Sequence, residues 1–162
     1  MDLATFYATV SAFGFTLLGL WWVVADRHSE WFEVAATRRM AYVVSLHFMI
    51  PSAMSLLSLV APDRPGVWRA VFTVLGLSGL AGTASIASVL GSRRTLTRGA
   101  VAIAVPVYVA VVLVALVPDV SDVLDLRPLQ LEAFLLCAVL LLGLHAAWFF
   151  AHEESPGKAA AD

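Results

Sequence analysis

Charged residues fall in short clusters along this chain, and between the clusters lie five apolar stretches: Leu3 to Ala25, Met40 to Ala61, Ala70 to Ser92, Gly99 to Pro118 and Leu129 to Ala151. Each is near the ~20 residues that a helix needs to cross ~30 Å of hydrocarbon. Helix is required even for the valine-rich fourth stretch, because an isolated strand in lipid leaves its backbone groups unpaired. The pattern predicts an all-α, polytopic transmembrane helix bundle with five crossings. The first stretch lacks a basic leader and a small-residue cleavage site, so it reads as the first helix rather than a removable secretory signal. Pro51 and Pro106 lie inside the second and fourth stretches, where each removes one hydrogen bond and bends its helix.

Two segments lie outside the crossings. Ser29 stands where it can cap a short helix over 30–38 that carries Trp31, Phe32 and Val34 among Glu30, Glu33 and Arg38. That helix either lies along the inner membrane surface or prolongs the second crossing, and the pattern fits both. The tail 153–162 holds Pro156, Gly157 and a run of alanines with no apolar face, which predicts a mobile cytoplasmic end.

Loop charge sets the expected orientation. With the amino terminus outside, Arg27, Arg38, Arg39, Arg93, Arg94, Arg98 and Lys158 are inside, against Arg64, Arg69 and Arg127 outside. This split of seven to three predicts N-out, C-in, since positive loops stay cytoplasmic. Trp21, Trp22, Trp31 and Trp148 then fall at the inner surface and Trp68 at the outer one, the levels that an amphipathic ring prefers.

Composition agrees with the pattern: 60% of residues are hydrophobic and 14% charged, against roughly 25% charged in a soluble domain. The net charge of −2 gives no footprint for nucleic acid, and Cys137 alone permits neither an intrachain disulfide nor a cysteine-built metal site. Nine arginines against one lysine point weakly to a GC-rich bacterial genome, hence to a bacterial plasma (inner) membrane. Gly-rich phosphate loops, paired intramembrane carboxylates and a nucleophile with a matching base are all missing, which disfavours hydrolytic and phosphoryl-transfer chemistry.

Candidate chemistry comes from small and hydroxyl residues. From Gly76 to Ser92, twelve of seventeen residues are Gly, Ala, Ser or Thr, with Gly76, Gly79 and Gly82 at intervals of three. So thin a helix reads as the centre of the bundle, gripped by its neighbours, or as the wall of a polar path formed by Thr83, Ser85 and Ser88. The first stretch adds Thr5, Thr9, Ala12, Thr16 and Gly19 at helical spacing, and the second adds Ser45, Ser52 and Ser55. Three hydroxyl-bearing faces suggest a shared interior, although such hydroxyls also bond their own helix carbonyls.

His47 and His145 lie at similar depth, roughly 10 Å below the inner surface at ~1.5 Å per residue. Facing imidazoles suit haem b ligation, a metal ion or a proton relay, whereas a lone histidine near a helix end serves as a core hydrogen-bonding residue. His152 lies two turns beyond His145, with Arg38 and Arg39 at the same membrane side. On the outer side Asp119, Asp122 and Asp125, followed by Glu132, form either a cation-concentrating mouth or a solvated loop whose Asp caps the next helix near Pro128. Three functions follow as expectations: a small homo-oligomeric channel-like or transport protein, a haem- or metal-binding redox protein, and an accessory subunit of a larger membrane complex.

Overall fold

The structure, a computed structural model, describes residues 2–61, 63–87 and 95–152. The helices are α1 (Leu3–Asp26), α2 (Glu30–Glu33), α3 (Ala35–Ser58), α4 (Pro65–Ala87), α5 (Thr95–Leu116) and α6 (Pro128–His152), with a 3-10 helix over Pro118–Leu124 and no strand among the described residues. Helices α1, α3, α4 and α6 are each long and apolar enough to cross a membrane. A fifth span is reached when Ala102–Leu116 is taken with the 3-10 helix, which turns away from it by 109°. The chain is an all-α membrane bundle with four to five spans.

Local chemistry sets the helix ends. Asp2 accepts from the Thr5 amide at 2.8 Å and from its hydroxyl at 2.9 Å, which closes the start of α1 and holds the Asp2 carboxyl below its usual range. Pro65 and Pro128 open α4 and α6, where the missing N–H costs nothing. The α6 start is capped by Gln130, whose Oε1 accepts from the Arg127 amide at 2.9 Å, and not by an Asp of the preceding loop as the sequence suggested. Arg69 on α4 donates from Nε and Nη2 to the carbonyls of Ala115 and Leu116, each at 2.7 Å. It thereby satisfies the last turn of α5 with a cation where the helix dipole favours one.

The segment 30–38 divides. Val34 is extended, so 30–33 form a separate turn while 35–38 belong to α3. Ser29 makes no side-chain cap. Trp31 is buried: it stacks on His28 at 4.3 Å and packs on Trp21 at 5.7 Å and Phe150 at 4.6 Å. Trp21 is also a core residue, donating from Nε1 to the Ala41 carbonyl at 3.1 Å.

The centre of the bundle is α3, the second crossing, and not the thin third one. In its apolar window 72% of residues are buried, against 28% in α4, because α3 packs on α1, α4 and α6 together. The α4 glycines still act as expected of small residues, but toward one side only. A Cβ at Gly79 would run into the Tyr108 ring of α5, one at Gly82 would lie 2.6 Å from Leu46 of α3, and one at Gly76 would lie 2.8 Å from Val112. Gly14 on α1 admits Ser52 of α3, and Gly143 on α6 admits His47, whose Cβ would stand 2.7 Å from an added Cβ. Close helix approach through small residues thus serves the contacts of α1, α4 and α6 with α3 and of α4 with α5.

Gly79→Leu and Gly82→Leu are expected to destabilise the bundle by at least the ~1–3 kcal/mol typical of overpacking. Gly19→Leu should be tolerated, since nothing lies within 4 Å of a Cβ there. Thermal unfolding in detergent checks the contrast, and equal behaviour of the three variants would refute the packing described.

Candidate functional site

Most predicted hydroxyls are consumed by their own helices. Thr9 donates to the Thr5 carbonyl and Thr16 to that of Ala12, Ser45 to Ala41, Ser52 to Phe48 and Ser85 to Gly82, all between 2.6 and 3.0 Å. The α1 stripe of Thr5, Thr9, Ala12, Thr16 and Gly19 is exposed, and so is Ser85. The interior expected from three hydroxyl faces is therefore not assembled within one chain. Phase explains this, because Tyr7, Val10, Ser11 and Gly14 occupy the side of α1 that meets α3. Ser45, Ser52, Ser55 and Thr83 do face inward, while Ser88 lies outside the described residues.

Against that background a few buried polar atoms have no hydrogen-bond partner among the described residues: His47 Nε2, Ser55 Oγ, Thr83 Oγ1, the Tyr108 hydroxyl and both carboxyl oxygens of Glu132. All five side chains are at most 1% exposed. In hydrocarbon such groups are costly and mark functional candidates.

They fall at two levels. His47 on α3 lies edge-on to the Tyr108 ring of α5 at 5.7 Å, and that ring covers Gly79 of α4, one turn from Thr83. His47 donates from Nδ1 to the Val43 carbonyl at 2.8 Å in its neutral form, which leaves the Nε2 lone pair free to accept. Pro51 carries no N–H for the His47 carbonyl four residues back, so α3 is also open there. Glu132 occupies the second level. Since α6 places Gly143 opposite His47, the eleven residues back to Glu132 put it roughly 16 Å further along the bundle. Tyr7 is within electrostatic reach of Glu132, yet donates its hydroxyl to the Leu129 carbonyl at 2.7 Å. Ser55, two turns from His47 on α3, stands between the levels.

His145 does not join His47. It follows Gly143 by two residues, about 200° around the helix from the face that meets α3, and is exposed, with Nδ1 2.7 Å from the Leu141 carbonyl. A haem b or metal site shared by the two imidazoles within one chain is therefore corrected: equal depth did not bring equal direction. No cluster of three potential metal ligands occurs among the described residues. His152 is exposed as well and stacks on Trp148 at 3.9 Å. Asp119, Asp122 and Asp125 are exposed around the 3-10 helix, where Asp125 takes the left-handed conformation (φ 53°) that ends it.

Sequence reasoning grouped Glu132 with the outer acidic loop and passed over Tyr108. The available signal was context: Glu132 lies a full turn inside a helix with leucine, alanine and phenylalanine around it, unlike the loop aspartates. Comparison with protein-family models, curated proteins and solved structures gives no match for the chain.

Glu132→Leu is expected to stabilise the fold by about 1–3 kcal/mol, because it removes a carboxyl that no group among the described residues satisfies. His145→Ala should stay within about 0.5 kcal/mol of the parent, as surface substitutions do. Both are read by thermal unfolding in detergent; a markedly less stable Glu132→Leu would mean that the carboxyl holds the bundle together.

Proposed function

We propose that the chain is a small transport-related membrane protein of a bacterial plasma membrane, homo-oligomeric, whose working part is the set of buried polar groups from Glu132 through Ser55 to His47. The observation that carries this reading is that His47 Nε2, Ser55 Oγ and both Glu132 carboxyl oxygens are buried without a hydrogen-bond partner among the described residues, while neighbouring hydroxyls are satisfied. Unpaired polar atoms in hydrocarbon lower stability, and they persist where function uses them. A carboxyl, hydroxyls and an imidazole with a free Nε2 can each take and give a proton, so the species moved is a proton. The outward stripe of small residues on α1, exposed among the described residues, supports self-association.

The protein reconstituted in liposomes with a trapped pH-sensitive dye should carry proton flux under an imposed gradient. Glu132→Gln and His47→Gln should each lower it about tenfold or more while the fold is retained, and the double variant should be no worse than either, as for groups acting in one relay. Absence of flux in the parent, or flux indifferent to both changes, rejects the proposal.

The orientation proposed with it is N-out, C-in, on the loop arginine count. A reporter fused after Asp162 should read cytoplasmic and one inserted between Asp119 and Asp125 external. Reversed readings would show that the charge count misled.

A further inference from the structure

At the end of the bundle where α1 finishes and α3 begins lies a cavity of about 620 Å³, whose lining reaches Ser45 but includes none of His47, Ser55 and Glu132. Its charged residues are Asp26, Arg38 and Arg39, and Trp22, Phe32 and Tyr42 supply aromatic wall. These three rings are 62%, 43% and 59% exposed, so the wall is open on the flank of two membrane-spanning helices. The cationic side is unspent. Arg38 makes one long contact, Nη1 to the Phe32 carbonyl at 3.4 Å, and no ion pair among the described residues engages Arg38, Arg39 or Asp26. Helix α3 starts at the same wall: Ala35 lines the cavity, and Val34 before it provides no side-chain cap for the first-turn amides of this 24-residue helix.

We propose that this cavity binds the phosphodiester headgroup of a glycerophospholipid, and selects headgroups that carry hydrogen-bond donors. Arg38 and Arg39 line the same cavity as the start of α3, which Val34 leaves without a side-chain cap, so an anion is favoured there, and guanidinium is the cation that binds phosphate through two donors at once. The aromatic wall accounts for the apolar part of the occupant, and its opening lies along the membrane-spanning helices, where a lipid arrives by lateral diffusion. The volume falls within the roughly 300–1,000 Å³ usual for ligand sites. Asp26 adds the selectivity. A carboxylate only accepts hydrogen bonds, so it favours the hydroxyls of a glycerol headgroup or the ammonium of ethanolamine. It gains no such bond from choline, whose quaternary nitrogen has no N–H.

The test uses the full chain in neutral detergent with phosphatidylglycerol, phosphatidylethanolamine or phosphatidylcholine added at equal ratio, and lipid retention read by native mass spectrometry. Phosphatidylglycerol and phosphatidylethanolamine should be retained about tenfold better than phosphatidylcholine. The double change Arg38→Ala, Arg39→Ala should abolish that retention, Asp26→Ala, which removes the acceptor, should level the three lipids, and Arg64→Ala, outside the cavity, should change nothing. Thermal unfolding confirms that each variant is folded. If the double variant is not, Arg39→Gln carries the same expectation, since Arg39 makes no hydrogen bond or ion pair among the described residues. Equal retention of all three lipids by the parent, or unchanged retention after loss of the arginines, overturns the proposal. Displacement of the lipid by millimolar inorganic phosphate overturns it in favour of a soluble anion. None of these outcomes involves proton flux, so this inference stands or falls apart from the transport reading.

Discussion

Within hydrocarbon no water is available to a polar group, and the arrangement of this bundle follows from how each such group is satisfied or left. Hydroxyls on α1 and α3 turn back onto carbonyls of the preceding turn, which lets α1 present threonines to its surroundings without stranded donors. Helix ends that the next loop leaves open are closed by Asp2, Gln130 and Arg69. With hydrophobic exclusion unable to drive association inside lipid, contact depends on how closely backbones approach, hence on Gly14, Gly76, Gly79, Gly82 and Gly143 at the interfaces.

Close approach and unsatisfied chemistry are linked. The ring of Tyr108 reaches the interior because Gly79 leaves room for it, and His47 is held where Gly143 lets α6 close over α3. Glycines that serve packing therefore also decide which polar atoms are sealed from partners. The buried carboxyl of Glu132 on α6 and the Nε2 of His47 on α3 lack partners among the described residues, as does Ser55 Oγ on α3.

Much of the architecture was legible in the sequence. Apolar length fixed the helices, Pro128 marked the start of α6, and the spacing of Gly76, Gly79 and Gly82 marked a closely packed face of α4, whereas the α4 start at Pro65 lies ahead of the stretch read from Ala70. These are local or one-dimensional properties, set by hydrocarbon thickness, by missing N–H groups and by missing side chains. Direction around each helix was not legible, because apolar residues cover all sides of a membrane helix and leave no amphipathic phase to read. For that reason the α1 threonines, expected inside, face out, and His145, at the depth of His47, points away from it. Tertiary packing alone decided that α3 occupies the centre, that Glu132 belongs to the core rather than to the acidic loop, and that Arg38 and Arg39 share a cavity with Asp26. Each of those outcomes depends on which helix stands opposite which, and that is settled by the fit of side chains between neighbours far apart in the chain.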